Sequence, residues 1–153
     1  MATAAQTVDT LLHARWVIPV EPERICLEHT SLALRAGRIV DILPTAAART
    51  RYTAHETVEL PNHALIPGLV NAHTHAAMSL FRGLSDDLAL MDWLTKHIWP
   101  AEAKWISPEF VRDGVRLAAA EMLKGGTTCL NDVYFFPEDA ADVLREAGMR
   151  ACL

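Results

Sequence analysis

The feature that most constrains the fold is the alternation of strand and helix patterns that begins after Pro67. The segment LVNAH has the composition of a strand covered on both faces, and TTCLNDV and MRACL predict two further strands. Between them, Ser107 and Pro108 predict the start of one helix and Gly125 its end, while Pro137 opens another. Successive strand–helix–strand units predict right-handed crossovers and a parallel sheet, so we expect an α/β fold.

Residues 1–66 have a different pattern, in which short strands are separated by turns. The segments SLALR and RIVDIL flank Gly37 and predict a hairpin with one apolar face. We therefore expect a β domain over 1–66 and an α/β domain over 67–153. The chain stops at Leu153 within an apolar strand, and a three-stranded parallel sheet with unpaired edges is rarely a complete fold. The pattern thus predicts the front part of a longer protein.

Two histidines follow the apolar run LVNA and are separated by one threonine. Residues two apart in a strand project from the same face, so His73 and His75 are expected to point the same way. At the carboxyl end of a parallel strand, two neutral imidazoles form half of a zinc-like site. A surface strand produces the same spacing by chance, but a buried run leaves unpaired rings at a high cost, which favours the metal interpretation.

Composition excludes several classes of protein. The formal charge is −5 and the lysines and arginines form no basic stripe, so we expect no nucleic-acid partner. Apolar runs are shorter than the roughly 20 residues that cross a bilayer, and the N-terminus lacks the pattern of a secretion signal. Cysteines 26, 129 and 152 are widely spaced and predict small buried thiols in a reducing compartment, and therefore a cytoplasmic protein.

Longer motifs resemble a known family. PGLVNAHTH, after a strand-rich N-terminal segment, is similar to the motif that ends the first barrel strand in the amidohydrolase superfamily. FRGLSDDLALMDWLTKHIWPAEAKW and GGTTCLNDVYF resemble the 5′-methylthioadenosine/S-adenosylhomocysteine deaminase group, within the branch that also holds triazine chlorohydrolases and guanine deaminases. The resemblance covers nearly the whole chain and is strongest from Leu65 to Phe136.

This resemblance implies the N-terminal part of a (β/α)8 barrel, namely its first three βα units over 67–153, preceded by strands of a small composite β-sandwich over 1–66. It implies that His73 and His75 bind one divalent metal, usually zinc, and that Glu102 grips the ribose hydroxyls of a small-molecule nucleoside substrate. The implied reaction is hydrolytic deamination of an adenosine thioether, which releases ammonia. The family's other metal ligands and proton-transfer groups lie on later strands, so we expect the 153-residue chain alone to be inactive.

Other candidate residues carry less information. Without the resemblance, Glu102 would be interpreted as a solvated glutamate at a helix start after Pro100. Asp132 ends the second strand and is expected to cap a helix or to support a metal-bound histidine. The tryptophans suit either the wall of an adenine pocket or the packing of a core or lid; they are Trp93, Trp99 and Trp105. No role is assigned to His97, and surface or interface positions are expected for His13, His29, His55 and His63.

Two alternatives to the deaminase interpretation are left by the sequence. The first is a related hydrolase, such as a chlorotriazine hydrolase or a guanine deaminase, whose substrate has no ribose for Glu102 to bind. The second is a non-catalytic zinc-binding or assembly module in which the histidines hold a metal between chains. The sequence is compatible with a homo-oligomer as well as with a single chain.

Overall fold

A computed structural model describes residues 5–153. Internal contacts divide the chain into two units, one that ends at Pro67 and one that begins at Gly68. None of the helices in the described part of the chain has the length and apolarity required to span a bilayer.

The first unit contains a four-stranded sheet in the order β3-β2-β1-β4. Its elements are β1 (Gln6–Val17), β2 (Leu27–Arg35), β3 (Arg38–Pro44), α1 (Thr45–Arg51) and β4 (Tyr52–Leu65). Strand β1 is antiparallel to β2 and parallel to β4, and β2 and β3 form the predicted hairpin. Ala36 and Gly37 both have positive φ, of 51° and 71°, which is the backbone conformation that joins tightly twisted hairpin strands.

One histidine of this sheet contradicts the expectation of a surface position. His13 is only 4% exposed, because β1 lies between β2 and β4. Its Nδ1 lies 2.6 Å from the hydroxyl of Ser31, which in turn donates a hydrogen bond to Thr45. These polar partners make a buried imidazole tolerable at the centre of the sheet. His29, His55 and His63 are exposed.

The second unit contains three parallel strands in the order β5-β6-β7, as the strand–helix–strand pattern predicts. The strands are β5 (Leu69–Thr74), β6 (Thr127–Asp132) and β7 (Arg150–Cys152). A 3-10 helix (Ala76–Phe81), α2 (Leu90–Trp93), a π-helical turn (Leu94–Ile98), α3 (Trp99–Trp105) and α4 (Pro108–Lys124) connect β5 to β6, and α5 (Pro137–Glu146) connects β6 to β7.

Helix α4 is positioned by its cap and by one glycine. The Ser107 hydroxyl accepts a hydrogen bond from the Phe110 N–H at 3.1 Å, which confirms the predicted N-cap. Val111, Val115 and Ala118 are buried in a cluster that also contains Leu130 of β6. At Gly114 a Cβ atom would lie 2.5 Å from the carbonyl oxygen of Ala77, so only glycine permits this close approach to the 3-10 helix.

The prediction that LVNAH is covered on both faces is wrong in the described residues. Leu69 is 50% exposed and Val70 is 66% exposed. Strand β5 lies at the edge of the sheet and pairs with β6 alone in the part of the chain that the structure describes. The interpretation of the cysteines as buried thiols is also wrong for Cys26 and Cys152, which are exposed, whereas Cys129 is half-buried.

Candidate metal and substrate site

The two histidines of the His73-Thr74-His75 sequence lie side by side at the carboxyl end of β5. His73 is within the strand and His75 follows its last residue. Their ring centroids are 5.0 Å apart and the ring planes are inclined by 80°. Zn–N bonds of about 2.0–2.1 Å with tetrahedral angles place the centroids of two coordinated imidazoles roughly 5 Å apart. The separation of these rings therefore suits two ligands of one metal ion.

A backbone carbonyl determines which nitrogen of His75 is available to a ligand. His75 Nδ1 lies 2.5 Å from the carbonyl oxygen of Val133. Because a carbonyl oxygen only accepts hydrogen bonds, Nδ1 carries the hydrogen and donates it. Nε2 then has a free lone pair, which is the arrangement found in metal-binding histidines.

Asp132 joins the ends of β5 and β6 behind these histidines. Its Oδ1 accepts the Ala76 N–H at 2.8 Å, and the neighbouring Val133 N–H donates to the carbonyl of Thr74 at 3.1 Å. Burial raises the pKa of the Asp132 carboxyl, and its bond from Ala76 and its proximity to His75 oppose that rise. Asp132 therefore acts as a cap, since it accepts the first backbone N–H of the 3-10 helix, whereas the second nitrogen of His75 is bound by the Val133 carbonyl.

The donor set fits half of a zinc site. Two imidazole nitrogens are ligands that zinc prefers, and one ring is already oriented through its second nitrogen. Within residues 5–153, no three His, Cys, Asp or Glu side chains come together as a metal-binding group. His73 and His75 would thus need further ligands to complete a tetrahedral sphere.

Beside His75 lies a cavity of about 210 Å³. Glu102 and Tyr134 supply its other oxygen-bearing side-chain groups. Its remaining lining is largely apolar and consists of Met78, Trp93, Leu94, Ile98, Trp99 and Val133. Apolar walls with a few convergent polar groups are characteristic of small-molecule sites. The structure therefore brings Glu102 and His75 to one cavity, whereas His73 contacts His75 without lining it.

Tyr134 is a functional candidate that sequence reasoning missed. Its hydroxyl donates a hydrogen bond to Glu102 Oε1 at 2.7 Å. Burial, followed by the negative charge and hydrogen bond of Glu102, raises the pKa of the Tyr134 phenol above its ordinary value. The phenol therefore stays protonated and acts as a donor. Its place two residues after Asp132, at the end of the second parallel strand, is the one signal that could have indicated it.

The tryptophans divide between two positions. Trp93 and Trp99 line the cavity, although the outer part of Trp99 is exposed. Trp105 is exposed and packs under the ammonium of Lys104, 4.6 Å from its ring centroid. His97 is half-buried in the π-helical turn and does not line the cavity.

Comparison with known proteins shows which family this sequence matches. The profile of the amidohydrolase family matches residues 64–153. The 5-methylthioadenosine/S-adenosylhomocysteine deaminase of Saccharophagus degradans is 54% identical over 143 residues, which are 94% of this chain and 32% of that protein. The chain spans about a third of the length of the curated relatives it matches.

Solved structures contain the same fold. The crystal structure of an adenosine deaminase from Xanthomonas campestris with bound zinc superimposes with a TM-score of 0.94 at 53% identity, covering 96% of this chain and 34% of that one. An atrazine chlorohydrolase from Arthrobacter aurescens, complexed with zinc, shares the fold with a TM-score of 0.81 at 19% identity, over 93% of this chain and 34% of that one. The family match over residues 64–153, which contain the PGLVNAHTH motif, shows that this chain belongs to the amidohydrolase family.

Proposed function

We propose that the chain forms the N-terminal part of a zinc-dependent hydrolytic deaminase that acts on adenosine thioethers such as 5′-methylthioadenosine and S-adenosylhomocysteine. One observation carries the proposal: an oriented histidine, His75, and a carboxylate, Glu102, line the same small cavity. The 54% identity to a protein named for this deaminase activity supports the choice of substrate.

In this proposal His73 and His75 hold the metal through ring nitrogens. The Val133 carbonyl accepts the Nδ1 hydrogen of His75 and so holds the ring in one orientation, which leaves Nε2 free to bind the metal. When bound, a divalent metal lowers the pKa of water towards about 7 and so supplies a strong nucleophile at neutral pH. The chemistry of two imidazoles favours zinc over magnesium or calcium, which prefer oxygen ligands.

Glu102 is proposed to bind the ribose of the substrate. A carboxylate has two oxygens that accept hydrogen bonds, so it can bind two vicinal hydroxyls at once, and its charge strengthens both bonds. The indole rings of Trp93 and Trp99 line the same cavity and provide apolar surface for a flat purine. The cavity thus combines polar and aromatic side chains of the kinds that a nucleoside would contact, which supports this proposal.

We further propose an architecture for the full-length protein. Strands β5, β6 and β7, with α4 and α5, would be the first three βα units of a (β/α)8 barrel. The sheet of the first unit would be part of a composite β-sandwich. The chain's similarity to about a third of much longer proteins supports this assignment, and the remaining metal ligands and proton-transfer groups would come from later strands.

The decisive experiment measures ammonia release from 5′-methylthioadenosine by the zinc-loaded full-length gene product and by the isolated 153-residue chain. We expect turnover by the full-length protein and none by the chain alone. Guanine and a chlorotriazine are assayed in parallel, with chloride release recorded for the latter. Preference for either would favour a related hydrolase, and stable zinc-linked oligomers without turnover would favour the assembly alternative.

A further inference from the structure

The hydrogen bond between Tyr134 and Glu102 joins two segments that are 32 residues apart in the sequence. The geometry points to Tyr134 as the residue that positions the Glu102 carboxylate for the ribose hydroxyls. This inference rests on the proposed deaminase function, because it concerns the same cavity. It makes Tyr134 a positioning residue that determines preference for substrates with a vicinal diol.

Tyr134 is itself firmly placed. The residue before it is bound at both backbone groups, since the Val133 N–H donates to Thr74 and the Val133 carbonyl accepts from His75. The tyrosine ring lies 5.9 Å from the His75 ring and 5.1 Å from the Phe135 ring, measured between centroids. Its hydroxyl therefore projects from a turn that is tied to the end of β5.

Glu102 has less support from its own surroundings. It lies in α3, a helix of seven residues that follows a π-helical turn. The next three residues, Ala103 to Trp105, are exposed, so the helix offers little packing around the glutamate. A glutamate side chain has several rotatable bonds, and freezing them on binding costs free energy that a prior hydrogen bond removes.

The hydrogen bond also leaves Glu102 enough acceptor capacity for a substrate. Two carboxylate oxygens provide about four lone-pair positions, and Tyr134 occupies one of them on Oε1. Oε2 and the second position on Oε1 are then available to two hydroxyl donors. A ligand without those hydroxyls gains nothing from this orientation, so the tyrosine hydroxyl should affect only diol-bearing ligands.

The test compares Tyr134→Phe with the parent protein, both as zinc-loaded full-length gene products. The substrates are 5′-methylthioadenosine and its 2′,3′-dideoxy analogue, and product binding is measured by calorimetry with 5′-methylthioinosine. For the diol substrate we expect KM and the product Kd to rise about 10-fold, the lower end for a hydrogen bond to a charged group, with kcat changed less than about 2-fold. For the dideoxy analogue we expect no change in kcat/KM.

Tyr52→Phe is the matched control, because Tyr52 is the other tyrosine of the sequence and its hydroxyl donates to Asp41 at 2.9 Å in the first unit. It should leave both substrates unaffected. Equal losses for the two substrates with Tyr134→Phe, or no loss for either, would overturn the positioning role. If Tyr134→Phe does not fold, Tyr134→Met fills the space with an adaptable apolar chain and the same comparison applies. A parent protein that binds neither substrate and releases no ammonia would instead refute the proposed function.

Discussion

Asp132, which is only 3% exposed, accepts a hydrogen bond from the backbone N–H of Ala76 at 2.8 Å. The last residue of β6 therefore holds the residue that directly follows His75. This bond crosses 56 residues of sequence. It is therefore a structural support of the site as well as of the sheet.

Replacing Asp132 should weaken both the fold and the metal site. Asp132→Ala leaves the Ala76 N–H without its buried acceptor, and we expect the free energy of unfolding to fall by about 1–3 kcal/mol. Groups that hydrogen-bond a metal ligand typically contribute about 10–100-fold to metal affinity, and since Asp132 holds the residue after His75 and not its ring, we expect a loss of at most about 10-fold in zinc affinity. Urea unfolding and zinc titration of the full-length gene product measure the two effects.

Two variants separate these effects from general damage. Asp132→Asn retains an acceptor oxygen, so it should lose less unfolding free energy and less zinc affinity than Asp132→Ala. Asp142→Ala removes an exposed aspartate of α5 and should change stability by no more than about 0.5 kcal/mol. Equal effects of Asp132→Ala and Asp132→Asn would show that the Ala76 contact is not responsible.

Gly114→Ala should displace the 3-10 helix that follows His75. The added methyl group would lie 2.5 Å from the carbonyl oxygen and 2.7 Å from the Cα atom of Ala77, and neither backbone atom can move easily. Overpacking of this kind costs typically about 1–3 kcal/mol, and we expect the zinc affinity to fall with the stability. Gly125→Ala is the matched control, because its added methyl group would lie 3.4 Å from its nearest neighbour, the carbonyl oxygen of Glu121. It should leave the urea midpoint nearly unchanged.

Zinc binding should depend on both histidines of the motif and not on the neighbouring His97. His73→Ala and His75→Ala each remove one of the two adjacent rings, and we expect at least about a 10-fold loss of zinc affinity from each. His97→Ala alters a half-buried ring outside the cavity lining and should leave zinc affinity unchanged. Equilibrium dialysis with metal analysis measures the affinities, and a protein that keeps zinc after loss of both motif histidines would contradict the metal assignment.

His13 should make stability depend on pH. Burial lowers the pKa of His13 below its ordinary 6.5, the nearby Glu59 opposes that shift and Arg49 adds to it. Below pH 6.5 the unfolded chain therefore takes up a proton that the folded chain does not, and stability falls as the pH falls from about 6.5 towards the lower folded pKa. Above that range the contribution is constant.

The pH dependence of stability is measured as the urea midpoint from pH 7.5 to 5 in the parent protein and in His13→Gln. The midpoint of His13→Gln should fall less with falling pH than that of the parent. His55→Gln, at an exposed position of β4, should show the same fall as the parent. Identical pH profiles for the parent and His13→Gln would show that His13 does not contribute.

Elements with local signals were predictable from the sequence. Ser107, Pro108 and Gly125 mark the ends of α4 through chemistry within one turn, and the structure agrees at both ends. The exposure of Leu69 and Val70 was not predictable, because composition indicates what a strand can bury and not which neighbours it has. The buried position of His13 depends on Ser31, which lies 18 residues away and has no periodic relation to it.

The candidate site shows the same division. The adjacency of the His73 and His75 rings follows from strand periodicity, while their metal role stays a prediction. The Glu102 carboxylate meets Tyr134 only because α3 returns to the end of β6, a contact without local signal. The role of Gly114 likewise depends on the approach of another element, Ala77, that sequence spacing does not indicate.

The parallel pairing of β1 with β4 has a consequence for the order of folding during synthesis. Strand β1 is made first, yet its second neighbour starts only at Tyr52. The hairpin of β2 and β3 can form early because its two strands are close in sequence. Strand β1, in contrast, has one unpaired edge until β4, which ends at Leu65, has left the ribosome. A nascent chain stalled before that point would present an unsatisfied strand edge to chaperones.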